Sequence, residues 1–206
     1  PSLGIDEDAV VVSYAGAMGA AQGLETLLEA SALVDDPRLI VLLAGSGTRQ
    51  EHLKRRAAEL GLANVRFLGR LPQDQMTDLM ATSDAAYVSL ADHPLSAVTM
   101  PSKTQATLAS GRAVLAAASG DLANLVASGQ LGFVARPGVT ESIAGALKAA
   151  VSAGRGELAR IGEVARARYV DEFSVEHTTT RLEAVLADVA KRPREAWSRL
   201  RPGGDA

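Results

Sequence analysis

Pro101-Ser102-Lys103 opens a short helical stretch that runs on through Ala109-Ser110-Gly111-Arg112 into Ala113-Val114-Leu115. Proline is favoured in the first turn of a helix, where the N–H it lacks would have had no partner. Ser102 and Lys103 then stand beside unpaired backbone N–H groups, at the positive end of the helix dipole. That combination is a candidate anion site, suited above all to a phosphate or diphosphate. The same three residues also make an ordinary helix start with an exposed lysine, so the reading depends on what stands around them. Candidates for that company are Gly16-Ala17-Met18-Gly19, Gly45-Ser46-Gly47, and Gly69-Arg70 between Leu68 and Leu71. A glycine pair alone says little, because a tight turn after a strand wants glycine anyway.

Other chemistries find less support. The three histidines, His52, His93 and His177, have no metal-ligand spacing, and nothing else calls for a metal. His52 lies among charged neighbours and His177 follows a helix start, so both read as solvated. His93, between Leu90 and Met100 at the expected ligand rim, is a candidate contact to a phosphate-bearing ligand. Asp84 reads as a turn or cap residue. Neither Ser46 nor Ser102 sits in a G-x-S-x-G frame, which argues against a serine hydrolase. With no cysteine, disulfides and thiolate metal sites are excluded. A net charge of −3 and 3% aromatic residues argue against nucleic acid as a partner.

The elements that must position these residues alternate along the chain. Apolar runs at residues 10–14, 39–43, 65–68, 86–90, 114–118 and 132–135 read as strands. Helical spacing follows the first three, through Leu24, Leu27 and Leu28, then Leu53, Ala57 and Leu60, then Met76, Leu79 and Met80. From Thr140 only helices are expected. One carries Ile143, Leu147 and Val151, the next Leu158, Ile161, Val164 and Tyr169. The last follows a Ser174 cap and carries Leu182, Val185, Leu186 and Val189. Continuous apolar strands separated by helices predict an α/β fold, a doubly wound parallel sheet of about six strands with a helical C-terminal extension. In such a sheet ligands bind beyond the carboxyl ends of the strands, which is where the glycine segments and Pro101-Ser102-Lys103 fall.

The expected domain covers residues 1–190 and a basic tail residues 191–206. That tail runs through Lys191-Arg192-Pro193-Arg194 to Trp197 and Arg201, and is a candidate for peripheral contact with anionic lipid. Pro193 and Pro202 interrupt any long amphipathic helix there, which favours a tail that packs on another domain or stays disordered. No apolar run approaches the ~20 residues of a membrane span. The N-terminus lacks the layout of a signal peptide, so a cytoplasmic location is expected. The chain opens on Pro1 rather than methionine, which fits a piece of a longer chain or a processed product. A dinucleotide fingerprint needs G-x-G-x-x-G after the first strand and an acid after the second. Here the first offers Gly16-x-x-Gly19 and the second ends on Gly45, and no Walker lysine motif is present.

In this order and spacing the segments resemble the C-terminal, donor-binding half of a GT-B glycosyltransferase of the large retaining family 4, with its Rossmann-like sheet. Val10 to Gly19 followed by Gln22-Gly23-Leu24-Glu25-Thr26-Leu27-Leu28-Glu29-Ala30 is similar to that family's first strand, glycine loop and helix. Leu42-Leu43-Ala44-Gly45-Ser46-Gly47 resembles its second strand and turn, and Asn64-Val65-Arg66-Phe67-Leu68-Gly69-Arg70-Leu71 its third. Ser83-Asp84-Ala85-Ala86-Tyr87-Val88 and Ala109-Ser110-Gly111-Arg112-Ala113-Val114 complete the order. The Gln22-Gly23 and Pro101-Ser102-Lys103 forms are similar to a branch that builds bacterial surface polysaccharides, including fucosamine transferases.

The resemblance implies a nucleotide-diphosphate sugar as substrate, a UDP-sugar by preference, with no separate cofactor. Its diphosphate would lie against Gly16, Ala17, Met18 and Gly19 and the helix start at Pro101, Ser102 and Lys103. Its base would be read by backbone at Leu68, Gly69, Arg70 and Leu71. Where the family often has two glutamates, this chain has Val98 and Ala106. The second glutamate would accept from the ribose hydroxyls, and Gln105 is the neighbouring substitute. The family's phosphate-clamping arginine and lysine correspond to Ala17 and Gln22, which leaves Lys103 as the main local cation. No catalytic residue is assigned. The resemblance further implies a missing N-terminal acceptor domain, and no turnover from these residues alone. Two other readings stand beside it: a non-catalytic nucleotide-sugar-binding or scaffold domain, and a GT-B-like sugar-nucleotide epimerase.

Overall fold

The six apolar runs become β1 (Val10–Ala15), β2 (Leu39–Ala44), β3 (Val65–Gly69), β4 (Ala85–Ser89), β5 (Ala113–Ala117) and β6 (Gly132–Ala135) in a computed structural model that describes residues 4–191. All neighbours pair in parallel, in the order β3-β2-β1-β4-β5-β6. The expected sheet is therefore present, and its order reverses between β1 and β4. Between the strands run α1 (Leu24–Ala32), α2 (Gln50–Glu59), α3 (Gln73–Thr82), α4 (Ser102–Ala109) and α5 (Gly120–Ser128), followed by α6 (Thr140–Glu172). The helix α5 carries too short an apolar pattern to stand out in the sequence.

Side chains alternate across the pleat, so one strand feeds two cores. Val10, Val12 and Tyr14, with Val41 and Leu43, pack beneath residues of α1, α2 and α6. Val11, Leu42 and Ala44 face the other way, against Leu79 of α3 with Met76 and Met80 beside it. Each fully buried leucine contributes about 1.5–3 kcal/mol. With both faces covered, the strands read as unbroken apolar runs rather than alternating ones.

Of the three helices expected after Thr140, the first two are found as the two halves of α6, which parts at Gly154. Gly154 takes φ 72 and ψ 169 while its neighbours on both sides stay helical. The bend lets the second half of α6 cross the turn between α4 and β5. A Cβ on Gly162 would come 2.1 Å from the Gly111 carbonyl oxygen. Arg166 donates to the Ala109 carbonyl at the same turn.

Asp84 does more than end a turn. Its Oδ2 accepts from the Val11 N–H at 2.8 Å, and its Oδ1 lies 3.2 Å from Arg155 Nε. Arg155 also donates to the Glu7 carbonyl. One buried carboxylate thus ties the start of β4 to β1 and, through Arg155, to α6 and the N-terminal segment. Asp84→Ala leaves the Val11 N–H and the guanidinium without that acceptor. It is expected to cost about 2–3 kcal/mol, at the low end for a broken buried pair because Arg155 is half exposed. Urea unfolding checks this.

The chain divides into two units, one running to Tyr169 and the other beginning at Val170. The second unit holds α7 (Val175–Lys191). Ser174 caps it as expected, its Oγ accepting from the His177 N–H at 3.2 Å. The stripe of Leu182, Val185, Leu186 and Val189 along α7 is exposed. Beyond Lys191 the basic tail lies outside the described residues, Trp197 included. Among the described residues no helix is long and apolar enough to cross a membrane.

Candidate functional site

The reversal of strand order leaves a crevice beyond the carboxyl ends of β1 and β4. Backbone hydrogen bonds stitch the loops around it together. The Gly16 N–H donates to the Ala44 carbonyl at 3.0 Å, Met18 to Ser46 at 2.9 Å, and Gly45 to Gly69 at 2.7 Å. From the other side, Ala91 donates to the Ala21 carbonyl and the Ser89 hydroxyl to that of Gln22. The strand-end loops named from the sequence therefore converge.

At the centre of this platform Tyr14, next to last in β1, holds Lys103. The Tyr14 hydroxyl donates to the Ala17 carbonyl and accepts from Lys103 Nζ at 2.8 Å. The ammonium also lies 4.1 Å from the Tyr14 ring centroid, near enough for a cation–π attraction. Its chain crosses Gly16 so closely that a Cβ there would come 2.8 Å from Lys103 Cε, and Gly16 has φ 146. Burial pushes the Lys103 ammonium down to about 8 and the Tyr14 phenol up to about 12. Lys103 is thus a cation held in place by neutral groups. Beside it α4 begins, where a helix leaves N–H groups without an intrahelical partner, although Thr104 already donates to the Pro101 carbonyl at 2.9 Å.

Below Lys103 a cleft of about 650 Å³ opens between α3 and α4, floored by Ala86 and Val88. Met76 and Met80 form one wall, Ala106 and Thr107 the other. Arg112 stands where α4 has ended, and its buried Nε has no hydrogen-bond partner among the described residues. Lys103 and Arg112 are the charged residues of the lining, and none of its residues is acidic. An apolar slot with cationic groups and no carboxylate suits an anion that carries an uncharged body.

The residues singled out from the sequence are placed unevenly. Ser102 and Lys103 line the cleft, Pro101 caps α4, and Gly16 lies under Lys103. Met18 is fully buried, with its N–H and carbonyl both spent on the neighbouring loop, so it anchors the platform rather than facing solvent. Gly19 gives its N–H to Gln22 Oε1. Ala17 is exposed beside it. Leu68 and Leu71 pack half-buried with Met76 and Met80, Gly69 turns at φ 68, and Arg70 is exposed. Gln105 is exposed and absent from the cleft lining, whereas Ala106 is part of it. His93 caps the short 3₁₀ turn after it, its Nδ1 accepting from the Leu95 N–H at 3.1 Å. His52 is not simply solvated: its Nε2 lies 3.1 Å from Glu25 Oε1, in a cluster with Arg49 that joins α1 to α2. Sequence reasoning missed Tyr14 as the partner of Lys103, and Arg112 together with the α3 wall.

The family profile described as Glycosyl transferases group 1 matches residues 1–168. This chain belongs to that family. The glycosyl transferase chain is 33% identical over 213 residues to a D-inositol 3-phosphate glycosyltransferase of Geodermatophilus obscurus, covering 98% of its own length and 45% of the relative's. It is 31% identical over 116 residues to a putative colanic acid biosynthesis glycosyl transferase, WcaI, of Escherichia coli, covering 56% of this chain and 28% of the relative. Among solved structures, Anabaena Alr3699/HepE in complex with UDP superposes with a TM-score of 0.76 at 22% identity. That match covers 88% of this chain and 49% of the other. The glycosyl transferase chain therefore spans about half the length of the Geodermatophilus relative and of the Anabaena chain, and its six-stranded sheet matches GT-B glycosyltransferase structures.

Proposed function

We propose that this chain is the donor-binding half of a retaining glycosyltransferase, which moves a sugar from a nucleotide-diphosphate donor, UDP by preference, to a glycan or lipid-linked acceptor. One observation carries the reading: Lys103, half-buried and with no carboxylate partner among the described residues, stands at the mouth of an acid-free cleft beside the open N-terminus of α4. A diphosphate seated there gains a charge-assisted bond from Nζ and the N–H groups of the helix start. As the glycosidic bond breaks, the negative charge grows on the diphosphate, and these fixed donors stabilise it without reorganising. Tyr14, uncharged well past neutral pH, keeps the ammonium aimed without competing for it. Acceptor binding and the remaining catalytic groups belong to the other half of a longer protein, so the 206-residue chain binds donor and does not turn it over.

Calorimetric titration with UDP, GDP and their sugars tests this, repeated on Lys103→Ala. Saturable binding of one nucleotide, weakened at least tenfold in the variant, is the expected result. No heat at millimolar nucleotide, from a chain shown to be folded, overturns it. The cleft favours a second reading at one point: Ala106 presents no acceptor to a ribose, which suits a domain that binds its nucleotide weakly and serves as a scaffold.

A further inference from the structure

We infer that the far end of the cleft, at Arg112, binds a free acyl carboxylate, with its head on the guanidinium and its chain between α3 and α4. Such binding needs neither the start of α4 nor the charge on Lys103, so it goes beyond the donor reading and does not rest on it.

Arg112 follows the turn that ends α4, where an arginine ordinarily serves the last carbonyls of the helix. Here those carbonyls are already served. Ala106 and Thr107 accept from the Ser110 N–H, Thr107 also from the Arg112 N–H, and Leu108 from the Gly111 N–H. Ala109 accepts from the Arg166 guanidinium, which brings a second positive charge to the same turn. The Arg112 side chain is thus not needed as a cap. No carboxylate stands in the cleft lining either, and the buried Nε has no hydrogen-bond partner among the described residues. A buried N–H without an acceptor is costly, and more so on a charged group. An oxyanion from outside removes that cost. The planar fork of a guanidinium matches a carboxylate with two parallel bonds.

What lies between Arg112 and the mouth sets the rest of the ligand. Ala86 and Val88 floor the cleft, and Met76, Met80 and Ala106 wall it. A polar body loses its water against these side chains and finds almost no hydrogen bond in return. A methylene chain gains by the same burial. Thioether walls are flexible and adjust to such a chain. The cleft follows α4, whose 8 residues rise about 12 Å, which suits a straight chain better than a compact ring. Its volume of about 650 Å³ is ample for one such molecule. A chain that fills it ends at Lys103 and Ser102, so the protein would sense free acyl chains where an anion is captured.

The test is calorimetric titration with hexanoate, octanoate and decanoate below their micelle concentrations, and with octanol. Affinity is expected to rise about threefold per added methylene. Octanol is expected to bind at least tenfold more weakly than octanoate. Arg112→Met weakens octanoate on the order of tenfold, and Arg112→Lys restores part of the loss. Urea unfolding verifies that each variant is folded. Lys103→Ala leaves octanoate affinity within about twofold. No heat at millimolar octanoate, octanol binding as tightly as octanoate, or unchanged binding in a folded Arg112→Met overturns the proposal. So does a loss in Lys103→Ala equal to that in Arg112→Met, which would put the head at the other end. The comparison of acid with alcohol uses the unaltered chain, so it decides the matter whether or not Arg112→Met folds. Nucleotide binding without octanoate binding sinks this inference alone, and octanoate binding without nucleotide binding sinks the donor reading alone.

Discussion

Lys103→Met is expected to abolish measurable nucleotide binding while making the ligand-free chain more stable. A bond from a half-buried ammonium to a diphosphate is charge-assisted and poorly screened, so its loss is expected to weaken binding on the order of 100-fold. The stability gain has a definite sign and pH window. Folding takes Lys103 from its ordinary value of 10.5 down to about 8. Between those values the unfolded chain binds more protons than the folded one, so raising the pH through that window stabilises the fold. Below 8 the lysine is charged in both states and the full cost of burying it stands, about 2 kcal/mol after allowing for its partial exposure. Methionine fills a similar volume and carries no such cost. The difference between wild type and variant should be largest near pH 7 and shrink towards pH 9.5. Urea unfolding at both pH values reads it. A variant that is no more stable at pH 7 would mean that Tyr14 and water solvate the ammonium fully.

Gly45→Ala is expected to be among the most damaging single-methyl changes in the chain. A Cβ at residue 45 would lie 1.9 Å from the Gly16 carbonyl oxygen, and the backbone there has φ 130, which side chains rarely adopt. Neither loop has room to give, since Gly45 donates to Gly69 and Gly16 to Ala44 on either side of the contact. A loss of at least ~3 kcal/mol follows from the forced shift and the broken loop hydrogen bonds. Because Lys103 lies on Gly16, the same variant should lose nucleotide affinity even where it remains folded. Gly4→Ala, at a positive φ with nothing within 4 Å, is the control for backbone strain alone. If the two variants cost the same, the close approach is not what matters at residue 45.

Much of the frame could be read from residue types because the forces that build it are local. Strands buried on both faces announce themselves as apolar runs, and all six were placed to within one residue at each end. The glycine turns were legible for the same reason. What stayed hidden depends on distant partners. The gap between the helices of Val151 and Leu158 was legible, but not that Gly154 alone makes it while Gly145 and Gly162 stay helical. Met18 looked like a loop residue in a binding turn, yet the loop folds inward and buries it. Tyr14 and Lys103 are 89 positions apart, and only the adjacency of β1 and β4 brings them together. The reading at Ala106 was more informative than that at Gln105, because neighbours on a helix point about 100° apart and only one of them faces the cleft.

The stitched loops also bear on how such a site can change over generations. When each turn lends its backbone to the next, an inserted or deleted residue in one of them breaks bonds in two, so loop length is a poor source of variation here. The walls of the cleft carry no such obligation. Met76, Thr77, Met80 and Ala106 sit within helices whose backbones bond internally there, so each can be exchanged with little effect on the platform. New ligand preferences in this domain should therefore arise by substitution along α3 and α4, while the phosphate end stays as it is.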